Sequence, residues 1–255
     1  MSAPPGDIAL STRGLGKRFG SLVVASNIEI NLPKGVRYAL IGPNGAGKTT
    51  LINLITGMIA PDEGEIFLGN EEITALEPQD RVRRGLARTF QINTLFPHLN
   101  ALEAVTLAVM ERRGIAGQFW SNIGTHKEAI EEAYGILARL RLGNDCYQET
   151  RELPYDRQRL LEIALALATR PKVLLLDEPA AGVPQEESGD IFEAVAGLSG
   201  DLTLLFIEHD MHVVFRFASH ILVLVGGAIF AEGSPAEIAA HPGVREVYLG
   251  TRKHE

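Results

Sequence analysis

Short, almost unbroken apolar runs punctuate the chain at residues 38–41 (Tyr-Ala-Leu-Ile), 173–176 (Val-Leu-Leu-Leu) and 202–207 (Leu-Thr-Leu-Leu-Phe-Ile), each bounded by glycine, proline or charge. Strands buried on both faces need no polar alternation, so these runs predict a mostly parallel sheet with helices packed on it. Ligands of such sheets bind at the carboxyl ends of the strands. From about residue 99 to 169 the pattern changes: leucine and alanine recur at helical spacing, broken near Gly114, Gly124 and Gly143, with no strand run. That predicts an inserted helical lobe, with residues 114–125, which carry Trp120, as a loop between its helices. The expected organisation is one domain over residues 1–255, its core at about 7–91 and 170–255 and its lobe at about 92–169. No internal repeat or low-complexity segment interrupts it.

The greasiest stretches, 202–207 and 221–229, fall short of the roughly 18 apolar residues a spanning helix needs. Residues 1–10 carry no basic segment leading into an apolar run, so they do not read as a secretory signal. The expectation is a chain that stays inside the cell and meets a membrane only through a partner. The formal net charge of −8 and a pI near 5.4 give no general attraction for nucleic acid. Cys146 is the sole cysteine, which excludes an intramolecular disulfide and a multi-cysteine zinc site; it reads as an inert thiol in a reducing compartment.

Directly after the run ending at Ile41 comes Gly42-Pro43-Asn44-Gly45-Ala46-Gly47-Lys48-Thr49-Thr50, followed by the amphipathic stretch 51–59. This is the phosphate-loop pattern in its strand, loop, helix context. The glycines let several backbone N–H groups turn inward and the helix N-terminus adds positive potential. Lys48 reaches the β- and γ-phosphates, and the Thr49 hydroxyl can ligate Mg²⁺. The alternative, a glycine-rich turn without nucleotide, leaves Lys48 and Thr49 without a task.

Farther on, the run 173–176 ends in Asp177-Glu178-Pro179, which delivers two carboxylates to the sheet edge that carries the loop. There Asp177 would hold Mg²⁺ and Glu178 would polarise the attacking water. The run 202–207 ends in Glu208-His209-Asp210, placing His209 where it could touch the γ-phosphate or that water. Alone, His209 would be a surface or capping histidine, and His212 three residues on does not make a metal pair.

These elements, in this order and over essentially the whole chain, resemble the nucleotide-binding subunit of ABC transporters. The resemblance implies a phosphate-loop NTPase core with an N-terminal antiparallel β portion and an inserted helical lobe. It implies ATP and Mg²⁺ as ligands, transmembrane permease subunits as partners, indirectly a substrate-binding protein, and a peripheral place on the cytoplasmic face of the membrane. Phe19, in Arg18-Phe19-Gly20 ahead of the first predicted strands, resembles the aromatic that stacks on adenine. Gln91, in Arg88-Thr89-Phe90-Gln91, resembles the family's glutamine that approaches Mg²⁺ and the attacking water where the membrane subunit docks; Leu95 and Phe96 follow it. The stretches Ala87-Arg-Thr-Phe-Gln91, Leu161-Glu-Ile-Ala164, Asp177-Glu-Pro-Ala-Ala-Gly182, Ala231-Glu-Gly-Ser-Pro235 and Tyr248-Leu-Gly250 are similar to the ATPases of branched-chain amino acid importers, whose cousins import other hydrophobic amino acids or amides.

One motif departs from the family. In place of Leu-Ser-Gly-Gly-Gln the chain reads Leu153-Pro154-Tyr155-Asp156-Arg157-Gln158, ahead of a helix-like stretch at 160–168. In the family this loop faces the γ-phosphate bound to a partner subunit. Pro154 offers neither hydroxyl nor N–H, and Asp156 brings a charge that repels phosphate by roughly 1–4 kcal/mol, which Arg157 offsets in part. Pro184 likewise stands where most of the family has aspartate and this subfamily asparagine. The sequence therefore favours a heterodimer with a second ABC ATPase subunit over a homodimer. The competing functions are an ATP-binding, weakly hydrolysing partner subunit and a soluble ABC ATPase of translation or DNA repair. The latter lacks the tandem domains, coiled coil or basic surface it would need.

Overall fold

The computed structural model describes residues 8–89, 96–115, 126–198 and 200–249. A four-stranded antiparallel sheet is built from β1 (Ile8–Phe19), β2 (Leu22–Pro33), β4 (Glu63–Leu68) and β5 (Glu71–Glu72), in the order β2-β1-β4-β5. The central sheet has the order β10-β9-β3-β8-β7-β6 and comprises β3 (Arg37–Ile41), β6 (Leu86–Arg88), β7 (Val173–Asp177), β8 (Thr203–Ile207), β9 (His220–Val225) and β10 (Ala228–Gly233). Its first five paired strands from β9 to β6 are parallel, and β10 closes the edge antiparallel to β9.

The continuous apolar runs hide a period of two. Ala39, Ile41, Leu174, Leu176, Leu204, Phe206, Ile221 and Val223 pack into one buried cluster, with α3 (Ala101–Arg112), α4 (Lys127–Arg139), α5 (Tyr155–Ala168), α6 (Gln185–Ala196) and α7 (Met211–Phe217). Their neighbours Tyr38, Leu40, Val173, Leu175, Leu205, Ile207, Leu222 and Leu224 pack into the other, against α1 (Lys48–Thr56) and the antiparallel sheet. A strand apolar on every position is thus apolar for two different partners. The chain ends its described part in α8 (Pro235–Ala240) and α9 (Pro242–Leu249).

Three boundaries differ from the sequence expectation. Phe19 does not precede the first strand but ends it, because β1 runs through Gly14 and shifts register between Thr12 and Leu15, which breaks the apolar alternation that would have announced it. The apolar stretch 221–229 is two strands, split at the turn Gly226-Gly227, where both residues take positive φ. Helix α5 begins at Tyr155 rather than 160, since Pro154, with φ −52°, stands at its N-cap ahead of a polar first turn.

Helix α1 is held from behind by one side chain. Arg81, on α2 (Pro78–Arg84), is only 2% exposed and meets no carboxylate among the described residues. Its guanidinium instead donates to the carbonyls of Leu54 (2.8 Å), Ile55 (2.7 Å), Thr74 (2.7 Å) and Leu76 (2.9 Å). The first two belong to the last turn of α1, where a cation is favoured by the helix dipole; the Leu54 carbonyl also accepts from the Gly57 N–H (3.2 Å). Replacing Arg81 by Met removes all these donors while keeping apolar volume. The variant should lose about 3 kcal/mol or more in urea unfolding; a loss below about 1 kcal/mol would mean that water satisfies those carbonyls equally well.

Candidate functional site

The loop 42–47 leaves the end of β3 and runs into α1 under tight steric limits. A Cβ on Gly42 would lie 2.2 Å from the carbonyl oxygen of Leu224 on β9. Gly47 has φ +103°, and a Cβ there would lie 2.5 Å from the Val24 carbonyl oxygen on β2. Glycine is therefore required at 42 by space and at 47 by both space and conformation. The loop is also strapped sideways: Gly227 N–H donates to the Ala46 carbonyl (3.0 Å), and Ser26 N–H donates to that of Gly227 (2.8 Å). No side chain caps α1, so its first N–H groups face the loop's concavity.

Lys48 is buried, and its ammonium donates to the carbonyls of Gly42 (2.7 Å) and Pro43 (3.1 Å). Burial pulls its pKa down, while Glu178 and Asp177 oppose that shift. Pro43 and Thr50 are half-buried and Ala46 is buried; Asn44, Gly45 and Thr49 face solvent.

The carboxylates arrive from the neighbouring strand. Asp177 ends β7, and its Oδ2 accepts from Arg88 Nη2 at 2.6 Å; Arg88 Nη1 donates to Asn53 Oδ1 on α1 at 2.7 Å. Glu178 sits at φ +49°, an uncommon backbone region for a residue with a side chain, held by its N–H on the Ile207 carbonyl (3.1 Å). Its Oε1 lies 2.5 Å from His209 Nε2. Phosphate loop, Asp177, Glu178 and His209 thus gather at the carboxyl ends of β3, β7 and β8.

Glu208 was passed over in the sequence, and the structure gives it a part. It is buried, accepts from the N–H groups of Ala180 and His209 (both 3.2 Å), and its carboxyl is pushed up by burial. It ties the turn after β7 to the histidine strand end. Its place directly before His209 was the one available hint.

Phe19 lies at the β1–β2 hairpin, half exposed, with the Lys17 ammonium 5.7 Å from its ring centre. The same hairpin brings Val24 onto Gly47, which carries the aromatic toward the loop side of the molecule. Gln91 and Leu95 lie outside the described residues; Phe96, after them, is exposed.

A family model described as ABC transporter matches residues 25–181, and one described as branched-chain amino acid ATP-binding cassette transporter matches 228–254. The chain is 37% identical over 250 residues to the high-affinity branched-chain amino acid transport ATP-binding protein BraF of Pseudomonas aeruginosa, covering 94% of this chain and 97% of that one. It is 36% identical over 249 residues to LivG of Escherichia coli, at the same coverage. A solved ATP-binding cassette of an ABC transporter in its ADP conformation matches with a TM-score of 0.83 and 34% identity, covering 96% of this chain and 99% of the other. The chain belongs to the ABC transporter ATP-binding cassettes.

Cassettes of this family bind ATP and ADP and are ATPases that power transport. The Mg²⁺ that the family implies fits the oxygen donors gathered here, the Thr49 hydroxyl and the Asp177 carboxylate. Magnesium prefers one or two such protein oxygens plus the phosphates of its nucleotide to a dedicated cage.

The loop that replaces the family signature is held within its own subunit. Leu153 is buried, and Asp156 lies in the first turn of α5, where a carboxylate is stabilised by the helix's own N-terminal potential. Arg157 is engaged as well: its Nη1 donates to the Arg141 carbonyl (2.8 Å), its Nη1 lies 3.7 Å from Asp145 and its Nε 3.5 Å from Asp156. A Cβ on Gly182, whose φ is +80°, would lie 3.1 Å from the Tyr155 ring, and Arg159 Nη2 donates to the Tyr155 hydroxyl (2.9 Å) and the Ala181 carbonyl (3.3 Å). Below it Glu162 is buried against Arg159 Nη1 (3.0 Å), with its carboxyl pushed up to about 7 by burial. Cys146 is buried too, which raises its thiol pKa and keeps it unreactive.

Gly47→Ala should cost at least tenfold in ATP affinity, whereas Gly135→Ala, in α4 with nothing within 4 Å of the new methyl, should raise stability by about 0.4–1 kcal/mol. A fluorescent-ATP titration and a thermal melt of each variant decide this, and equal ATP affinity of Gly47→Ala and wild type would refute the steric account.

Glu162 supplies a pH test. A carboxyl raised in the fold favours the protonated form, so it contributes stability at low pH that is lost as pH rises from the unfolded value of 4.5 through about 7. Wild type should lose on the order of 2 kcal/mol relative to Glu162→Gln between pH 5 and 8. Parallel pH–stability curves for the two proteins would contradict it.

Proposed function

We propose that this cassette binds MgATP at the 42–50 loop and hydrolyses it to drive import of branched-chain or other hydrophobic amino acids or related amides. The observation that carries the chemistry is the Glu178–His209 pair beside the phosphate loop, 2.5 Å apart. In this reading Phe19 stacks on adenine, and the N–H groups of residues 42–50 cradle the phosphates. Lys48 leaves the Gly42 and Pro43 carbonyls for the β- and γ-phosphates. The chemistry that Mg²⁺ would supply is positive charge to offset the charge that develops in transfer. Thr49 and Asp177 would hold the ion, with Gln91 approaching from its loop. Glu178 accepts the proton of the attacking water, and His209 orients Glu178 and reaches the γ-phosphate. The substrate class is supported by the 228–254 match and by the names of the relatives, which specify branched-chain amino acid transport.

The partners in this proposal are permease subunits in the membrane, fed by a substrate-binding protein, and a second ATPase subunit at the cytoplasmic face. Among the described residues no helix is long and apolar enough to cross a membrane. A heterodimer is supported by the 153–158 loop. The positive end of α5 already faces its own Asp156, and Pro154 contributes no donor for a partner's γ-phosphate. The second reading, a subunit that binds ATP but hydrolyses it weakly, follows from the same loop if no complementary partner exists.

Two sets of variants test this. Lys48→Ala should abolish ATP binding or hydrolysis, while Glu178→Gln should still bind and retain ATP unhydrolysed; undiminished phosphate release by Glu178→Gln, assayed with the partner, removes Glu178 from the chemistry. The isolated chain should turn over slowly, and Pro154→Ser with Asp156→Gly should speed it. Robust wild-type turnover, unchanged by that double variant at concentrations spanning dimer formation, would remove the support for a heterodimer.

A further inference from the structure

Arg88 is the last residue of β6 and lies outside the set of groups proposed to touch nucleotide, yet its side chain joins two parts of that set. One prong of the guanidinium donates to Asn53 Oδ1, on the helix that follows the phosphate loop, at 2.7 Å; the other donates to Asp177 Oδ2 at 2.6 Å. Both side chains of the ion pair are about one-fifth exposed, so the bond is shielded from solvent and salt more than a surface pair. The strand beneath is firm: Arg88 stands in register with Leu175 of β7, and the Thr89 N–H extends the ladder to the Leu175 carbonyl at 3.0 Å. A planar guanidinium anchored on Asn53 by one prong fixes the place of the other, and with it the position of Asp177 Oδ2. Asp177 Oδ2 is occupied, and Oδ1 carries no hydrogen bond among the described residues.

We propose that Arg88 is the positioning residue of the metal site: it locks Asp177 so that Oδ1 is the oxygen offered to the magnesium ion of the nucleotide, and it ties that carboxylate to α1 through Asn53. The inference rests on the MgATP reading of the site. Electrostatics alone predicts the opposite sign, since a cation beside Asp177 weakens its attraction for Mg²⁺. Orientation wins here because the one prong that holds Asp177 Oδ2 belongs to a guanidinium anchored on Asn53 by its other prong, and a ligand's hydrogen-bonded support is worth about 10–100-fold in metal affinity. Lysine cannot reproduce the effect, because one ammonium does not present two parallel donors to Asn53 and Asp177.

The test is a titration of Mg²⁺ into the full chain with a fluorescent ATP analogue, alongside the same analogue in excess EDTA. For Arg88→Met the Mg²⁺ concentration giving half of the metal-dependent gain in nucleotide affinity should rise about tenfold, while affinity in EDTA stays within about twofold of wild type. Arg88→Lys should resemble Arg88→Met, and Asn53→Ala should shift the midpoint in the same direction by a smaller factor. A general structural defect would instead lower affinity equally with and without metal. If Arg88→Met does not fold, as judged by circular dichroism, Arg88→Lys and Asn53→Ala carry the decision. A midpoint that is unchanged, or that moves to lower Mg²⁺, in these variants overturns the proposal. Wild type that binds no nucleotide under either condition overturns the MgATP reading itself, so the two failures are distinguishable.

Discussion

Two backbone carbonyls, those of Leu224 and Val24, press so closely on the phosphate loop that positions 42 and 47 have no space for a side chain. The site depends on that contact. It fixes where the chain leaves β3, and hence where α1 starts and where its unpaired N–H groups point. The Gly227 N–H also braces the loop at the Ala46 carbonyl, and Ser26 of β2 in turn holds Gly227. A loop that must surround polyphosphate with N–H donors has to be stiff before ligand arrives, since ordering it on binding would cost about 1–2 kcal/mol per residue.

Stiffness at the front of α1 would be wasted if the back could slide. Arg81 prevents this by satisfying the carbonyls of the last turn, and Arg88 holds the helix flank through Asn53. The result is a short helix gripped at its N-terminus by steric contact, at its C-terminus by a buried cation and at its side by an ion-paired arginine. Its apolar face, Leu51, Ile52, Leu54 and Ile55, fills the cluster between the two sheets. The packing that stabilises the fold and the geometry that receives phosphate are therefore carried by the same nine residues.

How much of this could be read from the sequence depends on how far apart the interacting residues lie along it. The phosphate loop, the ends of β7 and β8, and the parallel sheet were legible because each signal is local: an apolar run, then chemistry at its end. The antiparallel strands of the N-terminal sheet were implied by family resemblance rather than pattern, since a bulged strand such as β1 loses its alternation at Gly14. Arg81, Arg88 and Glu208 escaped notice as individual residues. Arg81 reaches the carbonyls that end α1 26 and 27 positions away, and Arg88 its partners 35 and 89 positions away, and nothing in a linear pattern links a surface-like arginine to groups at that distance. Phe19, placed ahead of the first strand from sequence, proved to be its end for the same reason that β1 was hard to see.

The 153–158 loop shows how one substitution pattern redistributes a helix terminus. A helix N-terminus provides a limited number of free donors and a positive potential that fades within a turn. When serine and glycine occupy the loop, both are available to an anion outside the chain. With Asp156 in the first turn of α5, the potential is partly spent on a carboxylate of the same helix, and Arg157 is drawn to Asp145, Asp156 and the Arg141 carbonyl. Tyr155 packs on Gly182 in the loop after β7, and Arg159 donates to the adjoining Ala181 carbonyl. The side chains of this loop thus make their contacts within the chain. Asp177, Glu178 and His209 lie beside the phosphate loop at the strand ends, while the groups at the start of α5 are engaged by residues of the same chain.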